Sequence, residues 1–465
     1  MNKEALLGIS KIVRRVKTKF YSIEEPDKLL EFINDNIKPT DENKKQRGEV
    51  FTPMKVVNEM LDKLPIDVWT NLNFKWLDPA AGMGNFPIAI YLRLIKSLKT
   101  KIPNEEKLRK HILENMLFMV EIDKYNVFML KKILCGHKYK LNVIEGDSLK
   151  SIGNSAFYDI IIGNPPFNKP SSDSPYYNEF IRYFENKCNL LMFVVPSRWF
   201  AGGKGLDTFR KFMLNKKDIE FIYHFDDAKK LFGNTIQLKG GINYFLINKK
   251  YNGKCKIVTN NLNIANINLN KYDILIPNIK YYKLIDKLNK YISISSIFIS
   301  QDHYKIQSND SRLIDKNGFD KKNIKDYLKC YVSKKQKGEY KYINKKEIKK
   351  DVKKYKVITV SASGKGSDGF GNIFTGLPDE VHTKSYISFN LNSKNDAESL
   401  LDYLKCKLPN FMLSLRKITH NISGETCKWI PLPPLNKIWD NESVYKFYKL
   451  TQEEIKIVED GIKNI

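Results

Sequence analysis

The chain has 465 residues, enough to bury more than one core, and its 79 Lys and Arg against 52 Asp and Glu leave a formal charge of +27, which points to a polyanionic partner. No apolar run reaches the length of a bilayer crossing and the charged start Met1 to Phe20 does not read as a secretory signal, so a membrane protein is excluded and a cytoplasmic one expected. Six cysteines with no Cys-x-x-Cys spacing exclude a zinc framework and a disulfide scaffold, and six scattered histidines suggest neither a metal site nor a general base.

Residues 1–45 read as a basic, helical lead-in. Pro26, Asp27, Glu42 and Lys44 have the residue types of a nuclease metal site, but they lie in polar, non-strand sequence, and this stretch is too short to build a nuclease core. Gly48 to Pro53, including Thr52, leads into a helix expected over Met54 to Leu64. Phe74 to Asp78 reads as a short strand, followed by a small-residue turn through Ala80, Gly82 and Gly84 and by a helix from Asn85 to Lys99. The glycines allow a ligand to approach the backbone, and the carboxylate of Asp78 suits an ammonium group better than a phosphate.

Leu117 to Asp123 is a second buried strand, with Glu121 placed to hold ribose hydroxyls and Ile122 beside it. The 43 residues from Asp78 to Glu121 are about twice the spacing of a compact dinucleotide site, so an extra helix near Glu105 to Glu114 is predicted. Leu141 to Asp147 is a third strand, ending in an acid able to accept from an adenine amino group. A helix-capping role is the plainer alternative for each acid. The fourth strand, Tyr158 to Gly163, runs into Asn164, Pro165, Pro166 and Phe167. Two prolines stiffen the backbone there, setting a carboxamide beside a carbonyl; the pair can accept both hydrogens of a planar amine while Phe167 lies against the parent base. Strands follow at Leu190 to Val195, Glu220 to Phe225 and Ile242 to Asn248, with a polar, glycine-rich loop from Leu231 to Gly241 before the last of them.

Taken in order, these segments resemble the cofactor and catalytic motifs of class I S-adenosylmethionine-dependent methyltransferases. The Asn-Pro-Pro-Phe motif is similar to that of enzymes modifying the N6 amine of adenine. Having Thr52, Pro53 and the Gly82 to Gly84 turn before the catalytic motif, with a long tail after it, is the order of the gamma class common in restriction-modification systems. The resemblance implies a Rossmann-like α/β fold, a seven-stranded sheet over residues 46–250, and S-adenosylmethionine as cofactor. It implies cofactor contacts at Thr52, Pro53, Asp78, Ala80, Gly82, Gly84, Glu121, Ile122, Asp147 and Asn164. Catalysis falls to Asn164, Pro165, Pro166 and Phe167, and Phe232 joins Phe167 in stacking on a flipped adenine. Methylation of an RNA adenine or a protein glutamine amide, and a catalytically inactive DNA-binding relative, are the competing implications.

Residues 251–465 are expected to form a mixed α+β domain that recognises double-stranded DNA. Residues 311–360 hold 17 Lys or Arg against 6 Asp or Glu, with Tyr327, Tyr331, Tyr340, Tyr342 and Tyr355 interleaved, a pattern suited to tracking phosphates. Candidate DNA contacts are Lys239, Lys345, Lys346, Lys349, Lys350 and Lys365, with Arg416 and Lys417 on a helix near the C-terminal recognition region that the family resemblance places there. The glycine-rich run Ser361 to Gly369 lacks the Gly-Lys-Ser/Thr ending of a phosphate-binding loop. A monomer at the nucleoid is expected, with a cognate restriction endonuclease left open as a partner.

Overall fold

The computed structural model describes residues 21–25, 28–29, 52–170, 172–202, 205–232, 240–260, 263–315, 318, 321–332, 339–363, 369–417 and 420–462. The N-terminal lead-in lies almost wholly outside these, as do Glu42, Lys44, Lys239 and Lys365.

Long apolar runs place the strands of the main sheet: Ile160, Ile161 and Ile162 in one strand, Leu191 to Val195 in the next and Phe245 to Ile247 in a third are fully buried, as strands covered on both faces require. These strands are β1 (Trp76–Asp78), β2 (Leu117–Glu121), β3 (Asn142–Glu145), β4 (Tyr158–Gly163), β5 (Cys188–Pro196), β6 (Ile219–Phe225) and β7 (Ile242–Asn248). They pair in the order β3-β2-β1-β4-β5-β7-β6, parallel except for β7, which runs antiparallel to both of its neighbours. Because the parallel strands share a direction, β1, β2, β3, β4, β5 and β6 all end at one edge, and the residues following each strand gather there.

The expected seven strands are present, and the sheet continues beyond them. β8 (Cys255–Thr259) pairs parallel with β6, and β9 (Asn263–Ile267) pairs antiparallel with β8, giving nine strands. Domain division follows: the chain separates into compact units at residues 1–279 and 280–465, so the boundary lies after Ile279 and not at Lys250. Ile257 and Val258 are buried by pairing with a strand already in the first unit.

Helix α1 (Met54–Leu61) is shorter than expected, and α2 (Asn85–Leu98) begins where the glycine turn ends. Gly84, with φ of 100°, precedes α2; the backbone there strains any L side chain, and a Cβ would stand 2.5 Å from Leu130 Cδ1, which would have to move aside. The inserted helix is α3 (Glu105–His111), capped by Asn104 and continued by a π-helical turn, Ile112–Met116; Leu108, Ile112, Leu113 and Met116 bury its apolar side. The long Asp78 to Glu121 spacing is thus taken up by one extra packed layer.

The second unit is mixed α+β. A four-stranded antiparallel sheet joins Phe298–Ile299, Tyr386–Leu391, Tyr355–Val360 and Ile373–Gly376, and a three-stranded one joins Tyr340–Asn344, Tyr327–Tyr331 and Glu380–His382. Helices Lys394–Lys405, Lys407–Arg416, Asn441–Phe447 and Gln452–Gly461 complete it. Among the described residues no helix is long and apolar enough to cross a membrane, and all six cysteines are free thiols.

Candidate active site at the carboxyl edge of the sheet

Asp78 ends β1 with its side chain 2% exposed. Its Oδ1 accepts from the Ala80 N–H at 3.0 Å, while Oδ2 has no partner among the described residues. Burial pushes the carboxyl up to about 8; the Ala80 N–H opposes the shift and the neighbouring charge of Glu121 adds to it. Two more buried oxygens nearby are also without partners, Thr52 Oγ1 and Asn85 Oδ1, and their residues are joined by the bond from Asn85 Nδ2 to Thr52 O at 2.8 Å. An unmet buried polar atom costs ~1–3 kcal/mol, so three around one glycine turn make this turn a candidate ligand site. Gly82, at φ of 54°, leaves open space where a Cβ would stand.

Glu121, at the end of β2, is 8% exposed and bonded within the protein. Its Oε2 accepts from Gly82 N at 2.7 Å and its Oε1 from Asp123 N at 2.8 Å. The acid therefore fixes the glycine turn against the end of β2. Ile122 beside it is 60% exposed. Asp147 caps the short helix Ser148–Ser151 by accepting from Leu149 N at 3.1 Å, and its Oδ2 stands 3.6 Å from Lys150 Nζ. Ser148 Oγ donates to Pro79 O, tying this turn to the one after β1.

β1 and β4 are neighbours, with Trp76 opposite Ile160 and Leu77 opposite Ile161. Asp78 consequently lies against Gly163: a Cβ on Gly163 would stand 2.5 Å from Asp78 Oδ1. The acid of the first motif and Asn164, the next residue along the chain, share one junction, which only a residue without a side chain permits. Gly163→Ala should destabilise the protein by ~1–3 kcal/mol through this overlap, measurable by denaturant unfolding. Asn164 and Pro166 are half-buried, whereas Pro165 is buried and the ring of Phe167 packs in the main core. Tyr176 N donates to Phe167 O at 3.0 Å, closing the hairpin that follows the motif.

Phe232 ends the short helix Lys229–Phe232, its N–H donating to Ala228 O at 2.9 Å, and its ring is buried in the same apolar cluster as Phe167. Sequence reasoning missed Asn85, which sits in plain view after the glycine turn; a polar residue opening an apolar helix is the signal that could have found it. It missed Ser197 and His224 as well, whose 2.8 Å contact spans 27 residues and leaves no local pattern.

In the second unit Lys345 opens a turn, Lys345–Glu347, after the strand Tyr340–Asn344. Lys346, Lys349 and Lys350 are exposed, and Lys345 Nζ is 3.6 Å from Asp379. Arg416 and Lys417 are corrected: they are 7% and 2% exposed and face inward. Arg416 Nε donates to Glu425 O at 2.7 Å and its guanidinium lies 4.5 Å from the Trp429 ring centre. Lys417 Nζ donates to Ser363 Oγ at 2.5 Å and to Gly369 O at 3.4 Å, so the cation joins the two ends of the glycine-rich run. Neither faces outward as a DNA contact would: the Glu425 carbonyl and carboxylate and the Trp429 ring meet Arg416, and Ser363 Oγ and Gly369 O meet Lys417. Tyr331, 4% exposed, packs against Phe374 and is likewise structural.

Residues 88–232 match the model of Eco57I restriction-modification methylases. An uncharacterized adenine-specific methylase of Mycoplasma pneumoniae is 28% identical, over 51% of this chain and 76% of that protein. Among solved structures, a nuclease-deletion mutant of the Type ISP restriction-modification enzyme LlaGI in complex with a DNA substrate mimic is 13% identical, with a TM-score of 0.51 over 99% of this chain and 58% of that one. A modification subunit from Vibrio vulnificus YJ016, assigned to a type I restriction enzyme, is 16% identical with a TM-score of 0.39, covering 62% of this chain and 64% of that one. The chain thus spans less than two thirds of the length of these two solved chains. At such identities the LlaGI likeness shows the fold alone.

Proposed function

We infer that this chain, a DNA adenine methyltransferase of the restriction-modification type, transfers the methyl group of S-adenosylmethionine to the N6 amine of an adenine rotated out of duplex DNA. The observation that carries this conclusion is the junction at Gly163, which sets the buried, half-satisfied carboxyl of Asp78 next to the Asn-Pro-Pro-Phe motif. The cofactor fits the donor set: Asp78 Oδ2 suits its ammonium, and Thr52, Pro53, Ala80, Gly82, Gly84 and Asn85 surround the same turn. Glu121, Ile122, Asp147 and Asn164 would complete its contacts, with Glu121 first giving up the Gly82 N–H. When bound, the cofactor supplies an electrophilic sulfonium methyl.

The protein's own work is to hold the acceptor. Asn164 Oδ1 and the Pro165 carbonyl accept the two amine hydrogens, drawing the nitrogen lone pair out of conjugation and directing it, so no base is needed before attack. Taking a base from the stack costs a few kcal/mol, offset by stacking on Phe167 and Phe232. Both rings lie in the core here, so stacking requires them to turn toward the base. We further propose that the second unit recognises DNA and that the enzyme acts at the nucleoid as a monomer, with a cognate restriction endonuclease left open as a partner.

Transfer of tritiated methyl groups from S-adenosylmethionine to duplex DNA, RNA or protein tests the assignment. Label in duplex DNA is expected; label confined to RNA or protein overturns it. Replacing Lys345, Lys346, Lys349 and Lys350 together by Gln should weaken binding to all duplexes alike and reduce the slope of log K against log salt by about 0.9 for each phosphate no longer neutralised. An unchanged slope in binding isotherms would place the DNA surface elsewhere.

A further inference from the structure

One polar assembly at the carboxyl edge belongs to no role described above. Ser197, the residue after β5, His224 in β6 and Asn243 in β7 are 3%, 1% and 0% exposed. Asn243 Nδ2 donates to Ser197 Oγ at 3.1 Å, Ser197 Oγ lies 2.8 Å from His224 Nδ1, and His224 Nε2 lies 2.9 Å from Asp226 Oδ1. With a neutral His224, one arrangement of protons satisfies every link. The Asp226 carboxylate only accepts, so His224 carries its proton on Nε2, and its Nδ1 accepts from the serine hydroxyl. Ser-His-Asp is the composition of a nucleophilic relay, but this serine is buried and its oxygen already accepts from Asn243, which makes it a connector.

The assembly grips both ends of the stretch that carries Phe232. At its start, Asn260 Nδ2 donates to Asp226 Oδ2 at 2.7 Å, Asp226 N donates to Asn260 Oδ1 at 3.2 Å, and Asn260 N donates to His224 O at 2.8 Å. At its end, Ser197 N donates to Gly241 O at 3.1 Å, and a Cβ on Gly241 would stand 2.9 Å from His224 Cε1. Between them Lys229 N donates to Asp227 Oδ1 at 3.0 Å, opening the turn that ends at Phe232. The same serine follows β5, the strand beside β4, whose end holds Asn164. Resting on the adenine methyltransferase reading, we propose that Ser197, His224 and Asp226 are positioning residues that set Phe232 relative to Asn164 for stacking on the extruded base.

The test uses the full chain, S-adenosylmethionine and unmethylated plasmid DNA. Asp226 is largely exposed, so Asp226→Ala leaves the core intact. Asp226→Ala and His224→Ala should each lower kcat by ~10- to 100-fold, the cost of a misplaced group, with cofactor affinity by calorimetry unchanged. His224→Gln, which keeps a donor near the Nε2 position, should recover most of the rate. Adding Phe232→Ala to Asp226→Ala should bring no further loss beyond Phe232→Ala alone, because the network acts through that ring. Wild-type kcat in Asp226→Ala, a fully additive double variant, or a parallel fall in cofactor affinity would each overturn the proposal. The wild type and Asn164→Ala in the same assay separate the two levels: if the wild type is active and Asn164→Ala is not while the network variants behave as wild type, only the positioning role fails, and if the wild type itself transfers no methyl group to the DNA, the methyltransferase reading fails with it.

Discussion

Asn164→Ala should bind S-adenosylmethionine nearly as well as the wild type and transfer methyl groups at least ~10²-fold more slowly, the scale of removing one preorganised hydrogen-bond partner from a reacting group. The carboxamide is held by its place in the fold: β4 delivers it to the sheet edge, Pro165 and Pro166 restrict the backbone, and the following hairpin is closed by Tyr176 N on Phe167 O. Removing it leaves that scaffold standing, so calorimetry with cofactor and steady-state turnover on DNA should separate cleanly. Asn164→Asp, which keeps the shape and adds charge, should not restore the rate to wild type if neutral acceptance matters. Wild-type turnover in Asn164→Ala would remove the motif from the chemistry.

Asp78→Asn should show opposite effects on stability and on cofactor binding. A charge-assisted hydrogen bond to an ammonium is worth roughly 1.5–3 kcal/mol, so S-adenosylmethionine affinity should fall ~10- to 150-fold. Without cofactor the sign reverses. The carboxyl of the folded protein is raised to about 8 from 3.8, so between those values the unfolded chain ionises readily while the folded one resists. Wild-type stability therefore declines as pH rises from about 4 to 8, a decline the carboxamide does not share. The advantage of Asp78→Asn in thermal unfolding should be small at pH 4, grow to pH 8, and shrink when cofactor is added, since cofactor binding stabilises the wild type more. A difference in Tm that is constant across this range would show that Asp78 is not held as a buried acid.

Much of the first unit was legible in the sequence because its strands are buried on both faces and write themselves as apolar runs. β4 and β7 fall on their expected residues, and the extra helix implied by the Asp78 to Glu121 spacing is present as α3. β8 and β9 were not legible. Lys256 and the half-exposed alternation of β9 give an edge no continuous apolar signal, and pairing with β6 is a long-range fact. Residue types also understate context. By its place in the sequence Glu121 faces a ribose, but its carboxylate is engaged by the Gly82 and Asp123 N–H groups; Arg416 and Lys417 look like surface cations and are internal ties. His224 pairs with Asp226 two residues along, but its ties to Ser197 and Asn260 come from the ends of other strands and leave no local signal.

The central claim is tested most directly by digesting duplex DNA to nucleosides after incubation with the purified protein and S-adenosylmethionine, and identifying the product by mass spectrometry. N6-methyldeoxyadenosine that appears with the wild type and is missing with Asn164→Ala is the predicted result. Methylation of the cytosine amine in its place, or N6-methyldeoxyadenosine formed equally by the variant, would contradict the account.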